Sequence, residues 1–268
     1  MSLIINNNIE AMVAQNNLSN TENSLSGAMT DLSSGLRINT AADDAAGYAI
    51  TEDLQGQNNG LQQASENAQD AVSLIQTADG TLNDVEQMLQ RVRELAVQYN
   101  AGTLSTSDQG AIQSEVNQLM SEISRVGSTA QFNGIQLFSS QTLTFQIGAN
   151  DADTISVQTV AMASLVASSI TLSTGTSITT PSTIDKYINA VSAQAANFGA
   201  VQNRLSYTID DLATYRENLT SAQSQIQDVD MASEMTMFTG DQILEQAGIS
   251  MLSQAEQNPQ EILKLIQG

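Results

Sequence analysis

Between Gly60 and Gln98 the apolar residues Leu61, Ala64, Ala68, Ala71, Ile75, Ala78, Leu82, Val85, Leu89, Val92 and Ala96 recur at alternating intervals of three and four. That interval is the seam of a coiled coil, in which apolar positions repeat every 3.5 residues. Ile50 and Leu54 continue it upstream. The spacing predicts one helix from about residue 45 to residue 98, roughly 80 Å long at about 1.5 Å per residue. A helix so much longer than the globular norm needs partners along its length.

Two further seams supply them. Ile112, Val116, Leu119, Ile123 and Val126 follow a Gly102–Ser107 turn, with Asp108 placed to cap a helix that folds back antiparallel. From Ile184 a third seam runs through Ile188, Val191, Ala195, Phe198, Leu205, Ile209, Leu212, Leu219 and Ile226, interrupted by Gln202, Arg216 and Gln223. Between the second and third seams the period changes to two. Asn133-Gly134 is a tight-turn pair, and Leu143, Phe145 and Ile147 alternate before a polar turn and Ile155 and Val157. A small β-hairpin is expected within about residues 131–160. Residues 163 to 183 are rich in Ser and Thr and read as an irregular, exposed connection that offers little to a core.

Both chain ends are amphipathic. Leu18, Leu25, Met29, Leu32 and Leu36 stripe one; Ile243, Leu244, Ala247, Met251, Leu252, Ala255, Ile262, Leu263 and Ile266 stripe the other. Neither end buries its stripe alone, and an isolated helix of this length is marginal in water. The ends are expected to order against each other or against neighbouring subunits, so these residues, Ile243 aside, form the candidate polymerisation seam. The fold class is therefore mainly α: a long antiparallel helical bundle with a small β-hairpin, its terminal helices forming a second coiled-coil domain.

Composition sharpens this picture. Aromatic residues make up 4% of the 268, with no Trp, so the core is aliphatic. The formal net charge of −21 removes the positive field that nucleic acid or an anionic membrane surface requires. The absence of His and Cys removes imidazole bases and thiolate nucleophiles, and no Ser has an evident activating partner. No enzyme activity, cofactor or metal is expected. Asp43-Asp44 and Asp210-Asp211 lack EF-hand spacing and read as solvated or capping carboxylates. Met1–Glu10 has no basic n-region or long apolar run, so a Sec-type signal is not expected. The methionines 231, 235, 237 and 251 read as adaptable packing.

Five ordered segments resemble the bacterial flagellin family. Ser34-Gly-Leu-Arg-Ile-Asn-Thr-Ala-Ala-Asp-Asp-Ala-Ala-Gly47 is similar to its N-terminal motif and Gln90–Val97 to its main-helix motif. Gln131-Phe-Asn-Gly134 is similar to the turn that follows, and Gln246–Ala255 with Pro259-Gln260 to the C-terminal helix. The resemblance spans nearly the whole chain outside about residues 160 to 185. It implies a short flagellin without variable outer domains, a structural subunit polymerising for swimming motility. Residues 1–42 and 229–268 would form the inner core of the filament, and residues 43–228 a rod domain of long helices. A hook–filament junction protein, with similar helical ends, is the nearest alternative; a secreted ligand that stays monomeric is another.

The resemblance further implies export without a cleaved signal peptide, through the flagellar type III apparatus, to an extracellular filament. Its partners would be a second copy of itself, a flagellar export chaperone, and the cap and hook-junction proteins. The animal Toll-like receptor for flagellin would recognise a face made of Gln90, Arg91, Leu95 and Glu115. The chain departs from the family in charge. Ala42 stands where a basic residue commonly precedes Asp43-Asp44, and Gln223 and Gln225 stand where arginines are usual. Asp43, Asp44, Asp228 and Asp230 are left short of cations.

Overall fold

The computed structural model describes residues 8–166, 170–172 and 181–267, with side chains through Asn258. The chain forms two compact units, one of residues 57–218 and one joining the residues up to Gly56 to those from Leu219 onward.

The central unit is built on α2 (Ala45–Tyr99), α3 (Thr106–Thr129) and α5 (Pro181–Gln227). All eleven seam residues from Leu61 to Ala96 are buried. Upstream the stripe lapses, since Ile50 is 50% exposed. Between Ala68 and Ala96 the helix buries Leu74 and Leu95 as well, because it has a neighbour on each flank. Arg91 ties it to Glu115 of α3 at 2.9 Å and Arg93 to Asp185 of α5 at 2.6 Å. A seam read along one line misses that second row.

The α3 helix begins one turn earlier than Asp108 suggests. Ser105 is its N-cap, accepting from the Asp108 N–H, while the Asp108 carboxylate accepts from the Ser105 N–H in return. This reciprocal capping box satisfies two of the donors that a helix start leaves unpaired. Along the helix Met120 and Gly127 are buried and Leu119 and Val126 are half-buried. Gly127 lies so near Met162 that a Cβ would sit 2.4 Å from the Met162 Cβ. A glycine buried for its smallness leaves no mark in a hydrophobic pattern.

On α5 the residues Ile184, Val191, Phe198, Leu205, Leu212 and Leu219 are buried at strict intervals of seven. The neighbouring row carries the polar interruptions, of which Arg216 and Gln223 are paired. The Arg216 guanidinium donates to Asn58 Oδ1 at 3.1 Å and to Gln62 Oε1 at 3.3 Å. In the terminal unit the Gln223 amide donates to Gln55 Oε1 at 3.0 Å. Buried Gln194 donates to the Gln158 carbonyl and so fastens α5 to the hairpin.

Two short antiparallel pairs follow α3. In β1 (Gln131–Phe132) and β2 (Ile135–Gln136) the turn residues Asn133 and Gly134 have φ of 47° and 81°. Two successive left-handed residues are what a two-residue hairpin turn demands, and Asn-Gly tolerates them at least cost. The second pair, β3 (Thr142–Gln146) and β4 (Thr154–Gln158), sets Leu143 opposite Val157 and Phe145 opposite Ile155. Ile155 and Val157 enter the core.

The Ser/Thr-rich connection is less exposed than its composition predicts. It opens with α4 (Met162–Leu165), and Leu165, Val166, Ile170 and Leu172 are buried. The Gln113 side chain holds it like a strand neighbour, donating to the Ile170 carbonyl at 2.9 Å and accepting from the Leu172 N–H at 2.7 Å. Four apolar residues spread among serines and threonines have no periodicity, so they escaped the sequence reading. The rest of that connection, residues 167–169 and 173–180, lies outside the described residues.

In the terminal unit α1 (Ile9–Ser34) and α6 (Met231–Gln267) run antiparallel. The Asn8 amide reaches the Ala255 carbonyl at one end, and Leu36 pairs with Asp228 as an isolated β-bridge at the other.

Candidate functional site

The Ser34–Gly47 segment organises the start of the terminal unit. Gly35, at φ 75°, closes α1 with its N–H on the Asp31 carbonyl, a left-handed cap that glycine adopts freely. The chain then lies along residues 226–229. The Arg37 N–H donates to Gln227 O at 2.7 Å, the Val229 N–H to Gly35 O at 3.1 Å, and the Arg37 guanidinium to Ile226 O at 2.6 Å. Ile38 is buried against Gly47, where a Cβ would come within 2.7 Å of its Cδ1. The motif is thus a clasp between the two chain ends.

The four carboxylates short of cations find neutral donors. Asp43 accepts from the Thr40 and Asn39 N–H groups and the Thr40 hydroxyl, and these bonds hold its pKa below the ordinary value. Asp44 accepts from the Ala46 and Gly47 N–H groups at the start of α2. Asp230 does the same for Ala232 and Ser233 at the start of α6, and Asp228 accepts from the Ser224 hydroxyl. Helix starts favour negative charge, so Asp44 and Asp230 sit where a carboxylate is stabilised without a basic side chain.

The Asp108 carboxyl is likewise lowered, chiefly by the Ser105 hydroxyl and then by the Ser105 N–H. A lowered carboxyl contributes stability that is complete above its ordinary pKa near 3.8 and is lost as pH falls through the lowered value. Asp108→Ala is therefore expected to lower the thermal midpoint at neutral pH. The gap from the parent, followed by circular dichroism, narrows to nothing in strong acid.

The α1–α6 contact resolves the terminal stripes into two faces. Toward each other α1 turns Ala11, Ala14, Leu18, Thr21, Leu25, Ala28 and Leu32, and α6 turns Glu234, Phe238, Asp241, Glu245, Gly248, Leu252 and Ala255, all half-buried or buried. Both rows keep the 3-4 interval. Gly248 admits Leu18, whose Cδ1 lies 3.2 Å from where a Cβ would stand. Of the candidate seam, Leu18, Leu25, Leu32, Leu36, Leu252 and Ala255 are thus partly or wholly covered within the chain.

Leu244, Ala247, Met251 and Met29 are not. With Met237 and half-buried Gly240, the three α6 residues make a second row, Met237-Gly240-Leu244-Ala247-Met251, also at 3-4 spacing and otherwise exposed. Leu244 is 58% and Met251 65% exposed. Ile9 and Val13 of α1 join Leu244, Ala247 and Met251 in lining an open groove of about 960 Å³. The α6 helix therefore carries two seams, and the covered one is the more acidic. Ile262, Leu263 and Ile266 lie outside the described side chains.

The Arg91 face of the central unit is a set of exposed ion pairs. The Arg91 guanidinium donates to Glu115 at 3.0 Å and to Glu94 at 3.1 Å, which raises its pKa further, Glu115 contributing most. Gln90 is exposed and donates to Glu86. Leu95 is only 1% exposed. The structure therefore removes Leu95 from the exposed face that the resemblance implies and places it in the core.

Two family models match the chain: the bacterial flagellin N-terminal helical region over residues 5–142 and the bacterial flagellin C-terminal helical region over residues 182–266. A flagellin of Halalkalibacterium halodurans is 45% identical over 98% of this chain and 100% of that protein. One of Bacillus subtilis is 42% identical over 98% of this chain and 99% of that protein. The crystal structure of Bacillus cereus flagellin superposes with a TM-score of 0.50 at 27% identity, covering 55% of this chain and 88% of that one. Matched from end to end by these models and relatives, the chain belongs to the bacterial flagellin family.

Proposed function

We propose that the chain is a structural subunit of the bacterial flagellar filament, polymerising through α1 and α6 for swimming motility. Residues 1–42 and 229–268 form the inner wall and residues 43–228 the outer part. The observation that carries this reading is the open seam of α6. Met237, Leu244 and Met251, with Ile9, Met12 and Val13 of α1, stand about half-exposed or more in a single unit. An apolar surface of that extent marks an interaction site. Its 3-4 spacing fits another helix, and a contact between unlike faces of identical subunits that does not close into a ring propagates as an open helical polymer.

Charge sets the conditions. The terminal unit sets Arg37 and Lys264 against fourteen carboxylate side chains, so packing copies together brings like charges close. Salt or mild acid relieves that repulsion. Full-length chain, examined by sedimentation and electron microscopy across a salt series, is expected to form filaments as ionic strength rises, while a chain lacking residues 1–42 and 229–268 stays monomeric. Full-length chain that remains monomeric at every salt and pH would sink the proposal.

Before assembly the same seam needs cover, which suits an export chaperone on the C-terminal helix and passage to the cell exterior. The cap and hook-junction proteins are the neighbours at the ends of such a polymer. Gln90, Arg91 and Glu115 remain the exposed part of the face assigned to the animal Toll-like receptor for flagellin.

A further inference from the structure

Methionines divide between the two units by exposure. In the terminal unit Met12, Met29, Met231, Met235, Met237 and Met251 are between 47% and 65% exposed. In the central unit Met120 and Met162 are buried, and Met88 packs against the core. The chain has no Cys and no Trp, so its thioethers are the side chains most readily oxidised by a two-electron oxidant. Nothing about a coiled-coil seam demands Met at solvent-facing positions, where Leu gives the same apolar area and a stiffer side chain.

From this partition we infer that the methionines of the terminal helices are an oxidation-sensitive modification site, at which peroxide or hypohalous acid switches the unassembled subunit to a form that cannot polymerise. The inference rests on the filament reading above. In the step, a lone pair of the Met Sδ attacks one oxygen of hydrogen peroxide and the O–O bond breaks. The sulfur is oxidised by two electrons to the sulfoxide, and the remaining oxygen leaves as water after proton transfer. No further reactant is needed.

A flexible apolar side chain thereby becomes a polar one with a strong acceptor oxygen. Met237 and Met251 flank Leu244 in the open seam at intervals of seven, so a sulfoxide at either must be buried when a second helix covers the row. Charged donors to it are few in a unit whose basic side chains are Arg37 and Lys264. The central unit is spared, because its thioethers are covered by α3, α4 and α5 packing. Assembly itself closes the window of reaction: a seam seated against a neighbouring subunit no longer offers its sulfur to the oxidant.

The test uses full-length chain. Unassembled subunits are treated with dilute hydrogen peroxide, the sites located by peptide mass mapping, and the critical concentration for polymerisation measured by sedimentation. Expected are sulfoxides at the six methionines of the terminal helices with Met120 and Met162 unmodified, a critical concentration raised at least about tenfold, and recovery after treatment with methionine sulfoxide reductases. Filaments treated after assembly are expected to react at Met237 and Met251 at least about tenfold more slowly. A chain with all six replaced by leucine should polymerise normally and be indifferent to peroxide. Oxidised subunits that assemble as well as untreated ones, or a six-leucine chain that peroxide still inhibits, overturn the inference and leave the filament reading intact. Untreated chain that never polymerises overturns both.

Discussion

A chain carrying Leu244→Gln and Met251→Gln remains as single subunits at concentrations and salt where the parent chain forms filaments. Both side chains are mostly solvent-exposed within the subunit, so their replacement costs the isolated fold little. Covering each by a neighbouring helix would contribute about 1.5 kcal/mol or more. Their joint loss, about 3 kcal/mol per contact, corresponds to a roughly hundredfold rise in critical concentration. Glutamine adds no charge and keeps good helix propensity, which separates the seam from the repulsion of an already acidic unit. Sedimentation beside Leu252→Gln completes the comparison. Leu252 faces α1, so its replacement should loosen the subunit's own terminal pair. Equal assembly by the double variant and the parent would mean that the open row of α6 is not the polymer contact.

The second large effect lies in the central unit. Leu82 is fully buried in the α2 seam, and Leu82→Ala is expected to cost about 2–5 kcal/mol through lost burial and a cavity that the surrounding helices fill only in part. Against a typical total of about 5–15 kcal/mol that is a large share of the stability. The midpoint of guanidinium unfolding, followed by helical circular dichroism, should fall accordingly. Ile50→Ala, on the same helix but half in solvent, should move it by less than about 0.5 kcal/mol. A similar loss for both would mean that the seam does not end where its buried residues do.

The α2 seam was legible because every position carries an apolar side chain and the residues between are mostly polar, so one period dominates. The hairpin turn was legible for a different reason: Asn133-Gly134 names a backbone conformation as well as a polarity. What escaped the reading shares a physical character. Gly127 is buried because it lacks a side chain, and Leu95 because a second helix covers a second flank of α2. Gln113 fastens the connection with an amide that any exposed helix could carry. Asp108 pointed to a helix start, yet the cap is Ser105, because a reciprocal pair cannot be apportioned between its members from one sequence.

On α6 the difficulty was an excess of signal. Two apolar rows share one helix, and periodicity reports that both exist without saying which is covered inside the chain. Leu252 and Ala255 fell on the covered row and Leu244, Ala247 and Met251 on the open one. For the same reason the carboxylates at residues 43, 44, 228 and 230 looked destitute in sequence, where only side-chain charge is visible. In the fold their partners are main-chain N–H groups and hydroxyls.

The polar rungs between α2 and α5 bear on a hazard common to repetitive coils. A pair of helices whose contacts repeat every seven residues is nearly as content after sliding by one heptad, about 10 Å, because each small aliphatic knob meets another much like it. In a core this poor in aromatic residues few side chains are large enough to forbid the slip. Arg216 on Asn58 and Gln62, and Gln223 on Gln55, break the degeneracy, since displacement would leave a guanidinium and an amide facing aliphatic seam with their donors unmet. They act as a vernier on the two long helices: worth little as contacts, they set which of several similar alignments the chain keeps.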